Sequence, residues 1–362
     1  MTNNILWLRR SFNWMGQHSG YDQVCAAISK LQPGNYKSFW QEPGKRRHRV
    51  SRNFLKSLAA KAESSPVYTP DSTAAEVGVL WQSLWQKPDI VHITYVENLL
   101  GILPKFSKRR PLKMVGTTHL TAGWWRLFHR HPESTSALDA LIVLASREVA
   151  YFEQYLPGRV YFIPHGVDTG FFRPKEKPID SVENSQFFRC VFSGKYLRDF
   201  QTLAEVIDRV IARNPGIKFD LVVPRKSRIL NDALLMRIAR HEQVFWHAEL
   251  SDEQLLEIYQ QASMLILPII DCTANNGLLE AISCGLPVVS NDVGGLRDYT
   301  QNTFADLLPV GDVEGMTNAI LKLADDPQAR IMRGKAARLF AEQNLSWNQI
   351  AHKTLEVYDK IR

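Results

Sequence analysis

The sequence predicts an α/β protein made of two Rossmann-like domains, each a doubly wound parallel sheet, with a cleft between them. Three observations carry this. Short apolar runs alternate with amphipathic helical stretches along both halves, as repeated β-α units require. The alternation pauses once, at Arg173-Pro174-Lys175-Glu176-Lys177-Pro178 and the polar segment to Gln186, and then resumes. The length of 362 residues exceeds one ordinary core and suits two domains of about 170 residues each. The expected domains are residues 1–173 and 174–345, with the last helix, 346–362, packing back on the first.

In the first domain Ile5–Leu8, Asp89–Thr94, Met114–Thr118, Leu141–Leu144 and Tyr161–Pro164 read as short buried strands. Helical periodicity lies between them at Asp22–Leu31, Thr73–Trp85 and Arg147–Tyr155. In the second domain Arg189–Ser193, Phe219–Val223, Met264–Pro268 and Val288–Ser290 read as strands. Ser251 caps a helix over Asp252–Ala262 whose first turn is acidic, and Gly285 with Pro287 ends the helix that carries Glu280. Pro327–Gln343 and Trp347–Ile361 are helical by periodicity.

Composition narrows the class. With 45% hydrophobic and 22% charged residues the chain is an ordinary folded protein and not a disordered one. Cys25, Cys190, Cys272 and Cys284 form no C-x-x-C pair, so neither a disulfide framework nor a zinc site is expected, and a reducing cytoplasm fits. The apolar run near the N-terminus, Ile5–Leu8, is too short for a signal-peptide core or a spanning helix. Charge is lopsided: residues 1–176 hold 23 Lys and Arg against 13 Asp and Glu, residues 177–362 hold 21 against 24.

The most informative stretch is Thr273-Ala274-Asn275-Asn276-Gly277-Leu278-Leu279-Glu280-Ala281, followed by Cys284-Gly285-Leu286-Pro287-Val288-Val289-Ser290-Asn291-Asp292. A polar loop opens a helix, a carboxylate sits one turn inside, and a buried strand comes after. Asn275 or Asn276 caps the helix and Gly277 lets a backbone approach. The first-turn N–H groups at Asn276, Gly277 and Leu278, with the positive end of the helix dipole, attract an anion. Glu280 would repel that anion in contact, so it is assigned to both hydroxyls of a ribose beyond the phosphates. Phosphate and ribose together imply a nucleotide.

With Ile163-Pro164-His165-Gly166-Val167-Asp168, Phe172-Arg173-Pro174, the Leu278–Val289 stretch, Asp292-Val293-Gly294-Gly295 and Gly311-Asp312 in this order, the chain resembles the family 4 glycosyltransferases of GT-B architecture, the glycosyl transferases group 1. The resemblance implies transfer of a sugar from a nucleotide donor, with retention, to a glycan or lipid-linked acceptor, with the donor on the C-terminal domain and the acceptor on the N-terminal one. It assigns the donor diphosphate to two bases, here Lys195 and Arg198 in Phe192-Ser193-Gly194-Lys195-Tyr196-Leu197-Arg198-Asp199, a shorter stretch than usual with the bases exchanged. They would stabilise the leaving group. The family's other glutamate, eight residues before Glu280, is Cys272 here. Asp271, Thr273 and Asn275 flank it and are the candidates for the donor sugar in its place, while Cys272 itself reads as a small filler in that site rather than a reactive thiol.

By the same resemblance His119, after the strand Met114–Thr118, reaches the donor sugar near the reacting carbon, and Ser19 and Gly20 in Gly16-Gln17-His18-Ser19-Gly20-Tyr21 approach the donor phosphate. An ordinary β-to-α turn is the alternative for that loop. His165 and Asp168 read as hinge and packing residues. The paired glycines at 294 and 295 either close on the sugar or form a plain turn.

No Asp-x-Asp tripeptide and no metal-ligand spacing occurs, so no metal or other cofactor is expected. UDP-hexose or UDP-N-acetylhexosamine is the favoured donor and GDP-mannose the runner-up, with the base chosen by a loop near Val244–Glu249. A sugar-nucleotide-binding protein that has lost catalysis is the alternative, motivated by Cys272 and the exchanged bases. Lys45-Arg46-Arg47-His48-Arg49, Arg52 and Lys56, and Lys105, Lys108-Arg109-Arg110 and Lys113 read either as a solvated basic face or, the reading taken here, as peripheral contact with an anionic membrane at the inner face. Trp124-Trp125-Arg126 and Phe128 line an acceptor groove, touch lipid or pack in the core. No nucleic-acid recognition motif accompanies the charge, so nucleic acid is not an expected partner.

Overall fold

The computed structural model describes residues 3–12, 16–41, 52–61, 65–107, 112–128, 133–175, 187–229 and 232–362. They form two compact units. One takes the described residues of Met1–Met15 and Gly20–Gly166 together with Trp347–Arg362, the other Gly16–Ser19 and those of Val167–Ser346.

The first unit holds β1 (Asn3–Arg10), β2 (Gly34–Gln41), β3 (Ile90–Ile93), β4 (Lys113–Thr118), β5 (Ala140–Val143) and β6 (Val160–Phe162), all parallel in the order β2-β1-β3-β4-β5-β6. Its central strands are buried at consecutive positions, as at Ile90-Val91-His92-Ile93, because a parallel sheet is covered on both faces. The terminal helix Trp347–Ile361 packs on the helix Gln23–Leu31. A buried hydrogen-bond chain secures it. Trp7 Nε1 can only donate, so it gives to Tyr358 Oη (3.2 Å), which gives to His92 Nδ1 (2.6 Å). His92 Nε2–H then gives to Thr117 Oγ1 (2.8 Å), and Thr117 to Tyr21 Oη (3.1 Å). Burial holds the His92 pKa down at about 3, so the ring is neutral, as this relay requires.

The second unit holds β7 (Arg189–Ser193), β8 (Lys218–Val222), β9 (Val244–His247), β10 (Met264–Leu267), β11 (Val288–Asn291) and β12 (Ala305–Leu308), again all parallel, in the order β12-β11-β10-β7-β8-β9. The order reverses between β7 and β10. Open sheets bind ligands beyond the carboxyl ends of the strands at such a point.

The chain passes from first to second unit at Gly166–Val167, seven residues before the Pro-containing stretch where the sequence placed the boundary. Phe172 is fully buried against Tyr259, and Val167 N–H donates to Leu345 O (2.8 Å), so the apolar segment before Arg173 folds as part of the second unit. A second correction concerns Val244–Glu249. Its first four residues are not a loop but the edge strand β9, paired with β8. Among the described residues no helix is long and apolar enough to cross a membrane.

Candidate functional site

The carboxyl ends of β7 and β10 are stitched together. Asp199 N–H donates to Pro268 O and Ile270 N–H to Leu197 O, both at 3.0 Å. These bonds hold Leu197 in the left-handed region (φ 58), which costs a β-carbon residue roughly 1–3 kcal/mol. The strained turn folds Arg198 back over the end of β7. Its Nε donates to Ser193 O (2.9 Å), Nη1 to Tyr196 O (2.9 Å) and Nη2 to Asn275 Oδ1 (3.2 Å). All three acceptors are neutral oxygens. Desolvation lowers the guanidinium pKa to about 10, so the group stays charged at neutral pH. Lys195 is exposed in the same turn, and its carbonyl accepts from Arg198 N–H (3.3 Å).

Asn275 settles which asparagine caps the helix Asn276–Ser283. Its Oδ1 accepts from Leu278 N–H (3.1 Å) as well as from Arg198. Two donors on one oxygen fix the orientation of the amide. Gly277 sits so close to β7 that an added Cβ would lie 3.0 Å from Ser193 Cβ. A cation and the positive end of a helix thus meet with no carboxylate among the three acceptors of that cation, which is an arrangement for holding an anion.

Glu280, one turn inside, is buried with 5% of its surface exposed. Ser19 Oγ donates to its Oε1 (2.7 Å) and Tyr259 Oη to its Oε2 (3.0 Å). Desolvation pushes its pKa up to about 7, against the two hydroxyls that pull it down. The sequence assigned this carboxylate to a ribose and Ser19 to a phosphate; here the two residues are bonded to each other.

Cys272 is buried under the glycine loop. Gly295 N–H donates to Cys272 O (2.8 Å), and a Cβ on Gly294 (φ 57) would lie 2.1 Å from the same oxygen. The paired glycines therefore serve a close backbone approach. Asp271 Oδ1 accepts from Cys272 N–H (2.9 Å), and Thr273 is buried beside it.

Sequence reasoning missed three contributors, Tyr259, Asp252 and His18, because each reaches the site through tertiary contacts. Tyr259 belongs to the helix Asp252–Gln261 and is fully buried. Asp252 Oδ2 accepts from Gln17 N–H (2.7 Å) and His18 N–H (3.1 Å). His18 stacks on Phe171 (centroids 3.7 Å, planes 5°) and its Nδ1 lies 2.7 Å from Asp168 Oδ2. Asp168 Oδ1 accepts the N–H groups of Gly170 and Phe171 and so braces its own turn.

Gly20 (φ 95) and His119 lie in the first unit. His119 stacks on Tyr95 (4.2 Å), its Nδ1 is 3.1 Å from Glu97 Oε1, and its N–H donates to Glu97 Oε2 (3.3 Å). His165 Nδ1 bonds Gly166 O (2.7 Å), and burial lowers its pKa to about 3. Trp125 is a core residue bonded to Thr118 Oγ1 (2.9 Å), whereas Trp124 stacks on the exposed Phe128 (5.1 Å). Lys45–Arg49 and Lys108–Arg110 lie outside the described residues, while Lys113 pairs with Asp139 (2.9 Å). Among the described residues no three His, Cys, Asp or Glu gather as metal ligands.

Residues 188–326 match the model of the family described as Glycosyl transferases group 1. The chain is 23% identical over 206 residues to MMP alpha-(1->4)-mannosyltransferase of Mycolicibacterium hassiacum, covering 56% of this chain and 49% of that protein. It is 25% identical over 251 residues to alpha-maltose-1-phosphate synthase of Mycolicibacterium smegmatis, covering 63% and 65%. The chain thus spans about half to just under two thirds of the length of these curated relatives. Among solved structures, its fold is shared by sucrose-phosphate synthase of Thermosynechococcus elongatus (TM-score 0.75, 16% identity, 99% of each chain). Anabaena HepE in complex with UDP and glucose shares it too (TM-score 0.69, 15% identity, 99% of each chain).

Proposed function

From the premise that residues 188–326 belong to the glycosyl transferases group 1, we propose that this protein is a glycosyltransferase drawing its sugar from a nucleoside diphosphate sugar. The single observation that carries the proposal is the meeting of the Arg198 guanidinium with the capped helix N-terminus at Asn275, and Glu280 one turn beyond. The first two suit a diphosphate and the third suits a ribose. As the glycosidic bond breaks, negative charge grows on the diphosphate, and a preorganised cation in a partly desolvated setting stabilises the transition state more than the ground state. Lys195 adds a second, solvated charge.

Retention of configuration belongs to this reading, as does metal independence, in which Arg198, Lys195 and the helix N-terminus supply the positive charge. The absence of an Asp-x-Asp tripeptide from the sequence supports the latter. Asp271, Thr273 and Asn275 face the sugar in this assignment. UDP is the favoured donor nucleotide, supported by the UDP and glucose held by HepE. A mannosyl donor such as GDP-mannose is the alternative, supported by the mannosyltransferase relative. The acceptor is a glycan or a lipid-linked glycan. Peripheral contact of the first unit with anionic membrane is part of the same reading, supported by its surplus of Lys and Arg and by exposed Trp81 and Trp85; cosedimentation with phosphatidylserine vesicles tests it.

A thermal-shift comparison of UDP, GDP and ADP, followed by hydrolysis of the matching sugar nucleotides, tests the main proposal. Arg198→Ala is expected to lower turnover by about a hundredfold with a smaller change in KM. Unchanged turnover removes the leaving-group role. A second reading, a nucleotide-sugar-binding protein without catalysis, is favoured by buried Cys272 where the resemblance expects a glutamate. Nucleotide binding with no hydrolysis or transfer would establish it.

A further inference from the structure

Glu280 divides its two oxygens between partners of unlike permanence. Tyr259, on Oε2, is fully buried and packs edge-on against Phe172 (6.2 Å). It cannot leave without opening the core. Ser19, on Oε1, is only half-buried and lies in the segment Gly16–Ser19, which belongs to no helix or strand. That segment has other anchors: Gln17 and His18 N–H on Asp252, and the His18 ring on Phe171 and Asp168. The Ser19 hydroxyl is therefore the one partner of Glu280 that can be exchanged at little cost. A ribose hydroxyl would replace it like for like, a neutral O–H donor for a neutral O–H donor, without leaving the carboxylate unpaired.

Resting on the nucleotide reading above, we propose that Ser19 is a stand-in for a ribose hydroxyl on Glu280, displaced when the nucleotide binds, and that Tyr259 is the positioning residue that aims the carboxylate. The two residues then act with opposite sign. Removing the Ser19 hydroxyl leaves Oε1 short of a donor in the free protein, so the nucleotide gains what it formerly had to displace. Removing the Tyr259 hydroxyl lets the carboxylate turn away from the ligand.

The test is calorimetric titration of the full chain with UDP and, separately, with inorganic pyrophosphate, which has no ribose. Ser19→Ala is expected to tighten UDP by about three- to tenfold, and Tyr259→Phe to weaken it by about tenfold, the span of a single net hydrogen bond. Pyrophosphate affinity should stay within about twofold in both variants. UDP bound no more tightly by Ser19→Ala, or pyrophosphate tightened equally, overturns the proposal even if Tyr259→Phe does not fold. If the wild type binds none of UDP, GDP and ADP, the nucleotide reading fails and this inference falls with it; nucleotide binding with an unresponsive Ser19→Ala sinks this inference alone.

Discussion

Two buried glutamates, one in each unit, show how the same side chain serves two ends. Glu76, on the helix Pro70–Gln86 of the first unit, is fully buried and accepts N–H groups from Gly101 (2.8 Å), Ile102 (2.8 Å) and Leu103 (3.0 Å) and the Tyr68 hydroxyl. Glu280 accepts two hydroxyls and no backbone group. Desolvation raises the pKa of both to about 7. Backbone donors cannot be exchanged without refolding the chain, so Glu76 is a cornerstone of the turn that starts the helix Leu103–Ser107. Side-chain hydroxyls can be exchanged. The kind of donor, and not the degree of burial, separates a structural carboxylate from one open to a ligand.

The largest expected effect tests the structural side. Glu76→Ala leaves three N–H groups and a phenol without their acceptor and should cost about 3–5 kcal/mol of unfolding free energy in urea, with nucleotide affinity nearly unchanged in whatever stays folded. A loss below about 1 kcal/mol would break the contrast.

Next in size is a pH effect at Glu280. Its folded pKa is raised from 4.5 to about 7. Below pH 4.5 both states hold the proton and its contribution is fully present. As pH rises toward 7 the unfolded carboxyl ionises while the folded one keeps its proton, so stability is lost, by about 3 kcal/mol once both are charged. Glutamine does not titrate. The stability of the wild type minus that of Glu280→Gln should therefore fall across pH 4.5 to 7 and flatten above it, as chemical denaturation at several pH values would show. A flat difference would mean that Glu280 is better solvated than its burial implies.

How much of this the residues announced depends on where each partner comes from. Central strands were legible because continuous apolar runs such as Ile90-Val91-His92-Ile93 and Met264-Leu265-Ile266-Leu267 survive only inside a covered parallel sheet. The strands that escaped, β2, β9 and β12, are all sheet edges, whose half-exposed residues keep no such run. At the site, capping chemistry at Asn275 and the glutamate a turn beyond arise from neighbours in sequence. Tyr259 and Asp252 come from another helix, and Ser19 from far upstream, so no local pattern pairs them with Glu280 or with the Gly16–Ser19 segment. The Arg198 anchorage falls between. Its cation was evident, but its grip on Asn275 needs the left-handed Leu197, which nothing in the letters signals.

The smallest expected effect asks whether Arg198 is held ready for an anion, as Glu280 is for a hydroxyl. Asn275→Ala removes the helix cap and should cost about 1 kcal/mol of stability. Asn275→Asp keeps the cap, since aspartate serves as well as asparagine there, and places a carboxylate within reach of the guanidinium that Asn275 Oδ1 now contacts at 3.2 Å. That variant should be as stable as the wild type yet bind UDP more weakly than Asn275→Ala does, because the new charge neutralises Arg198 and repels the diphosphate. The comparison separates cap from cation within one residue: equal UDP affinity in wild type and Asn275→Asp would place the phosphate elsewhere and leave Arg198 as a brace between β7 and the helix.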